Sequence, residues 1–498
     1  MTILFFSLGI IVLLTLILTV CFWSKICFEL LSRICTCLVL SLPFEYFPRA
    51  ELVGASWRIS QLVVIMAFWV IIILLLKKDR QLLSHRIHFA SYYPLIFFIL
   101  SSPSWFFIQD FQRFIVHLVG TIFVFGAFVL LSNFATDIWK SLKRLVIVLF
   151  GCSLFGLYQF FGDIVGISPF FTLLREHYTK VVFGVPRIQG TAVEPLYFAG
   201  MLMVAIFVLI FWICESLEFQ KKLQPSSINL ETSNLLYYST SVLPNLSQQL
   251  RSNSNFMEII FTKLAVHKVK SLSIILLIIF TVFLLTISKG TFGVLTILIL
   301  PLFVTIFLVF NFFRQYIYTN LFQGILVMLL LGIIFFNFAN PIALLGEIGT
   351  NFVETLSGTS ASAMERSMFS NQAITGIKQN PIFGIGMGQY GSYVGNNLGV
   401  LNDDGKAIVN NVYLEIWLEE GILVLFFFVF LLLQPIVILL KFLATQWSLL
   451  RAETFAALSF VFILVGYYLQ WTLFSPIFIM PIFIILGLAY NLISNYHN

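Results

Sequence analysis

Asn380-Pro-Ile-Phe-Gly384-Ile-Gly386-Met-Gly388-Gln-Tyr390 and, further on, Asn410-Asn411-Val-Tyr413-Leu-Glu415 stand inside a polar stretch from Asn340 to Gly421. Apolar runs of membrane-spanning length lie on both sides of it, so it reads as a large loop outside the membrane between two spans. That reading sets the fold class: an all-α, polytopic integral membrane protein with one large external loop. Composition agrees, since 60% of the 498 residues are hydrophobic and 10% charged, with a mean hydropathy of +1.00, outside the balance of a soluble domain.

A helix needs about 20 mostly apolar residues to cross the hydrocarbon layer. The runs that meet this are 2–23, 28–44, 57–76, 90–108, 114–134, 145–162, 192–214, 271–287, 291–311, 321–338, 412–440, 455–473 and 476–494, giving about 12–13 transmembrane helices. The first run is too long and too unbroken for a cleaved signal peptide, and it lacks a charged start, so it reads as a retained span. Lys77, Lys78, Arg80 and Arg86, then Lys140, Lys143 and Arg144, then Arg314, then Lys441 and Arg451 mark alternate short loops. The positive-inside rule assigns those loops to the cytoplasm and puts 163–191 and 339–411 on the opposite face. The same clustering accounts for the net charge of +6, and no nucleic-acid partner is expected from it.

Three parts follow: residues 1–338 with membrane helices, the large external or periplasmic loop 339–411, and membrane helices again over 412–498. Within the first part, Glu215 to Lys270 is a long cytoplasmic segment whose middle, near 224–255, is rich in Ser, Asn and Gln and reads as disordered. Its basic ends, Lys221-Lys222 and Lys268-Val-Lys270, suit anionic membrane lipid. The six cysteines, at 21, 27, 35, 37, 152 and 214, fall in or beside apolar runs without metal or redox spacing and read as buried thiols.

Charged groups at the expected external face carry the chemistry. Residues 361–380 read as a helix in which Phe369, Ala373 and Ile377 form an apolar face, stopped by Asn380-Pro381. Arg366, three residues before Phe369, falls in that stripe. Either it snorkels over apolar surface, or it turns to grip an anion with its planar fork. Arg187 lies in Arg187-Ile-Gln-Gly190-Thr191, shortly before Glu194-Pro195 at the head of a span. Glu194 either caps that helix, with Pro195 in the first turn, or serves as a general base. Lys289, in the tight turn Thr286-Ile-Ser288-Lys289-Gly290-Thr291, is either a solvated loop charge or the third member of a cation cluster. Three converging cations suit a pyrophosphate better than a neutral solute. The Gly384/Gly386/Gly388 run lacks the preceding strand of a nucleotide loop and reads as a compact turn permitting close backbone packing. No metal site is expected: His177 is isolated, and Asp403-Asp404 reads as a solvated turn.

Taken in order, Arg187-Ile-Gln-Gly190-Thr191 with Glu194-Pro195-Leu-Tyr-Phe198-Ala199, Ser288-Lys289-Gly290, Arg366 with the 380–388 run, and Asn411-Val-Tyr413-Leu-Glu415 with Glu420-Gly421 resemble the bacterial O-antigen ligase and polymerase superfamily of membrane glycosyltransferases. The likeness covers about residues 180–425. It implies transfer of a glycan from undecaprenyl pyrophosphate, with external arginines holding the diphosphate and neither metal nor cofactor. Two departures stand out. Asn410 occupies the place where ligases carry a histidine, and Lys289 the place where many members have arginine. The first disfavours a ligase.

The expectation is therefore a polysaccharide polymerase in the bacterial inner membrane, working at its periplasmic face on undecaprenyl-pyrophosphate-linked repeat units. Arg187, Arg366 and Glu194 are the expected catalytic set, with Lys289, Tyr390, Asn410, Asn411 and Tyr413 binding substrate. A chain-length regulator is a further expected partner. The alternatives are an O-antigen ligase acting on a lipid or protein acceptor, and a transporter of lipid-linked oligosaccharide.

Overall fold

In a computed structural model, residues 24–44, 50–52, 55–76, 89–174, 186–192, 194–223, 268–309, 361–398, 408–446, 452–470 and 480–497 are described. The expected spans 2–23 and 321–338, and the segment 224–255, lie outside them. The elements are α1 (Ser24–Leu40), the antiparallel pair β1 (Ala50–Leu52) and β2 (Ala55–Trp57), α2 (Ile59–Leu76), α3 (Tyr93–Ser101), α4 (Phe111–Phe134), α5 (Ile138–Val165) and α6 (Pro195–Leu223). Next comes α7 (Lys268–Leu285). The series closes with α8 (Lys289–Val309), α9 (Ala361–Gln379), α10 (Tyr390–Leu398), α11 (Val412–Glu420), α12 (Ile422–Gln446), α13 (Ala452–Gln470) and α14 (Met480–His497).

Among the described residues, α4, α5, α6, α7, α12 and α13 are long and apolar enough to cross a membrane, and α2, α8 and α14 contain shorter apolar stretches. The chain is an all-α, multi-pass membrane protein. Burial separates centre from periphery: 72% of the apolar window is buried in α6 and in α13, against 28% in α7. The outer face of α12 is marked by Phe426, Phe430, Leu433, Val437 and Leu440, exposed at helical spacing, as a lipid-facing stripe should be.

Two expected spans are broken, each for a local reason. The run 90–108 is not one helix but a 3-10 turn at Phe89–Tyr92, then α3, then a second 3-10 stretch at Ser102–Phe107. Pro94 and Pro103 lack the N–H that would continue an α-helix, and each sits at the start of a new turn. The run 412–440 is split at Gly421, where φ is +89° and a Cβ would stand 1.9 Å from the Ile382 carbonyl oxygen. Only glycine fits there, and the chain turns from α11 into α12.

Polar side chains join the helices where apolar contact alone gives little preference in lipid. Gln434 of α12 accepts hydrogen bonds from the hydroxyls of Tyr93 in α3 and Tyr490 in α14. Asn491 of α14 donates to the carbonyls of Leu131 and Ser132 in α4, each at 3.1 Å. The described thiols Cys35, Cys152 and Cys214 are buried as expected, whereas Cys37 is exposed.

Candidate active site

Arg187 is held by a loop that two helices stitch down. Gln159 of α5 clasps Gly190, accepting from its N–H at 2.8 Å and donating to its carbonyl at 3.1 Å and to that of Thr172 at 3.2 Å. Gly190 has φ +58°, and a Cβ there would lie 2.5 Å from the Phe198 ring. The Thr191 hydroxyl donates to the Pro43 carbonyl. On the other side the loop meets the end of α7. The Ile188 N–H donates to the Leu285 carbonyl at 3.2 Å, and Arg187 Nε donates to the Thr286 carbonyl at 3.0 Å. That bond fixes the plane of the guanidinium. Burial pulls the Arg187 pKa below its usual value and nearby Glu194 pushes it back up; an arginine stays charged through such shifts.

Glu194 stands directly before α6, and its carbonyl accepts from the N–H groups of Tyr197 and Phe198 at 3.1 and 3.3 Å. This is the helix-start position read from Pro195. The Thr286–Thr291 turn is likewise tight, with α7 ending at Leu285 and α8 beginning at Lys289. Inside it Ile287 has φ +47°, rare for a β-branched residue and costing about 1–3 kcal/mol, which the surrounding contacts offset. Thus the loop that carries Arg187 and Glu194 and the Ser288-Lys289-Gly290 backbone, about a hundred positions further on, meet in one region. The Lys289 side chain lies outside the described residues.

The last turn of α13 joins this region to the end of the large loop. Gln470 Nε2 donates to the Thr291 hydroxyl of α8, itself 3.1 Å from the Ser288 hydroxyl. A Cβ on Gly200 of α6 would meet Gln470 Oε1 at 2.9 Å. Two residues earlier, the Tyr468 carbonyl accepts from the Tyr413 hydroxyl of α11 at 3.1 Å. Gln470 was not identified from sequence: one glutamine at the end of an apolar run carries no pattern.

The 380–390 run is a turn wrapped around the end of α11. Gly384, Gly386 and Gly388 have φ of +74°, +107° and +75°. The Ile385 and Gly386 N–H groups donate to the Leu418 and Glu419 carbonyls at 2.8 and 2.9 Å, and the Trp417 indole donates to the Pro381 carbonyl at 3.0 Å. Gln389 ties the turn to the head of α4: its Oε1 accepts from the N–H groups of Gln109 and Asp110 at 3.0 and 2.7 Å, and its Nε2 donates to the Asp110 carbonyl at 3.0 Å. The close-packing reading of the glycines is what the backbone adopts. α9 covers the turn through Phe369, Ala373 and Ile377, all buried in one cluster with Leu418 and Tyr390.

The other expected site residues divide. Arg366 is on α9, but its side chain lies outside the described residues. Tyr390, expected to contact sugar, is 1% exposed and its hydroxyl donates to the Phe369 carbonyl at 3.0 Å; it is enclosed, and it fastens α9. Asn411 caps α11, its Oδ1 accepting from the N–H groups of Tyr413 and Leu414, each at 3.1 Å. Asn410 precedes it with φ +58°, a conformation asparagine tolerates. Tyr413 is part-buried. Glu419 and Glu420, both buried, were not on the expected list, although paired acids before a glycine at the head of an apolar run are a legible signal.

Residues 274–429 match the family model described as O-antigen ligase. The match runs from within α7 to within α12 and supports the likeness to the O-antigen ligase and polymerase superfamily that the motifs suggest. No curated protein matches the chain.

Proposed function

We propose, from that O-antigen ligase match as premise, that this chain is a polysaccharide polymerase. It transfers a growing glycan from undecaprenyl pyrophosphate to a lipid-linked repeat unit, at the periplasmic face of the bacterial inner membrane and without a metal. The observation that carries the reading is the bond from Arg187 Nε to the Thr286 carbonyl, which holds a part-buried cation beside the turn leading to Lys289 and within electrostatic reach of Glu194.

In this scheme Arg187, Lys289 and Arg366 hold the donor diphosphate, helped by the start of α8, where a helix's first N–H groups have no partner within the helix. The acceptor hydroxyl gives its proton to Glu194 as its oxygen bonds to the anomeric carbon. The bond from that carbon to the phosphate oxygen breaks, and undecaprenyl diphosphate leaves with its charge stabilised by the cations. Asn410 and Tyr413 border the acceptor sugar, and Asn411 and Tyr390 fix the elements around it. A chain-length regulator would act on this reaction from outside.

The family description favours a second reading, an O-antigen ligase passing finished chains to a lipid or protein acceptor. Deletion separates the two. Loss of a polymerase leaves single repeat units; loss of a ligase leaves long chains still on the lipid carrier. Reconstitution with purified lipid-linked repeats tests both, since lipid scrambling without glycosidic bond formation would replace either reading with transport.

A further inference from the structure

We propose that Glu419 is a positioning residue: its carboxylate locks the 380–390 turn onto α11 and thereby sets where α9, the helix that carries Arg366, stands. This deepens the polymerase reading and rests on it for the role of Arg366; the anchoring of the turn stands on geometry alone.

With Gly384, Gly386 and Gly388 at positive φ, the turn aims the N–H groups of Gly388 and Tyr390 at one point, a seat that suits an anion. Here the chain supplies that anion. Glu419 Oε2 accepts from the Gly388 N–H at 2.8 Å and Oε1 from the Tyr390 N–H at 3.0 Å, so both carboxylate oxygens are used on the turn. The group is buried, which pushes its pKa up, while the two N–H groups of the turn and the nearby His117 and Arg113 of α4 pull it back down. The fit leaves no slack. A Cβ on Gly384 would lie 2.5 Å from the Glu419 carbonyl, and one on Gly388 would lie 2.7 Å from His117 Cδ2. The turn is therefore gripped between α11 and α4, and its anion seat is filled from within.

The grip passes to α9 by two routes. Tyr390, whose N–H is on Glu419, donates its hydroxyl to the Phe369 carbonyl of α9 at 3.0 Å. Leu418, next to Glu419, fills the space over Gly376, where a Cβ would meet its Cδ1 at 2.6 Å. Glutamine at 419 would keep the shape but set an NH2 against a backbone N–H, leaving a buried donor unpaired. The turn would loosen, and α9 with it.

The test uses the full chain in detergent as wild type, Glu419→Gln, Gly388→Ala and the exposed control Glu453→Gln. Hydrogen exchange across 361–398 should accelerate about tenfold in Glu419→Gln and in Gly388→Ala, with α6 and α13 unchanged. Turnover of lipid-linked repeats, purified from a strain lacking the protein, should fall about 100-fold in kcat with a smaller change in KM, because a displaced element near a reacting centre acts on the transition state. The control should match wild type in both. Unchanged exchange in 361–398 overturns the anchor, and accelerated exchange with wild-type kcat overturns the positioning role. If the wild type itself forms no glycosidic bond, the polymerase reading fails and exchange alone decides the anchor.

Discussion

At the scale of single residues, Arg187 is the sharpest test of the anion-holding region. Arg187→Ala should lower the rate of chain formation from lipid-linked repeats by about 100-fold or more, the usual effect of removing one transition-state donor. Arg187→Lys should fall between that variant and wild type, because lysine keeps the charge but cannot give Nε to the Thr286 carbonyl while presenting a planar fork. Equal rates for all three would remove Arg187 from the mechanism. Glu420 makes a different prediction. Burial raises its pKa from 4.5 to about 8, and the Glu419 carboxylate beside it acts in the same direction. The folded protein therefore holds a proton that the unfolded chain loses above 4.5. The stability tied to that proton is complete below 4.5 and is lost as pH rises toward and through 8, at up to about 1.4 kcal/mol per unit between those values. Thermal unfolding in detergent should show this decline for wild type, and a flatter profile for Glu420→Gln.

Elements were legible in the sequence where periodicity is enforced by burial. The stripe Phe369, Ala373 and Ile377 is buried as read, and α9 stops where Asn380-Pro381 requires. Hydropathy cannot report a break inside an apolar run, however. The restart at Pro103 and the break at Gly421 depend on one missing N–H and on one carbonyl from a distant segment. Nor can it report that the Tyr390 hydroxyl faces inward, because its partner is a backbone carbonyl of α9. Glycine substitutions test this at the level of the element. Gly421→Ala should lower the thermal midpoint well beyond the effect of any surface change, since φ is +89° and the added carbon meets the Ile382 carbonyl at 1.9 Å. Gly151→Ala, inside α5 with nothing within 4 Å of the added carbon, should instead raise the midpoint, in line with about 0.5–1 kcal/mol of added stability. If the two behave alike, the turn at Gly421 is not the constraint described.

For the molecule as a whole, the sequence located the six helices that, among the described residues, are long and apolar enough to cross a membrane, but not which of them lie at the centre. α6 and α13 read no differently from α7 until their neighbours are known. What joins distant helices is a small set of polar contacts. A double-mutant cycle between Tyr490→Phe and Gln434→Leu should return a coupling of about 0.6 kcal/mol, typical of hydrogen bonds between helices in a bilayer. A coupling of zero would mean that this bond does not help to seat α14. The bond from Asn491 to the Leu131 carbonyl joins groups separated by 360 positions. A ribosome therefore delivers α4 long before the helix that covers it, and α4 must wait in the bilayer with that flank bare. During this interval newly made chains are most open to capture by membrane proteases. Slowing translation downstream of α4 should accordingly lower the yield of mature protein without altering the stability of molecules already completed.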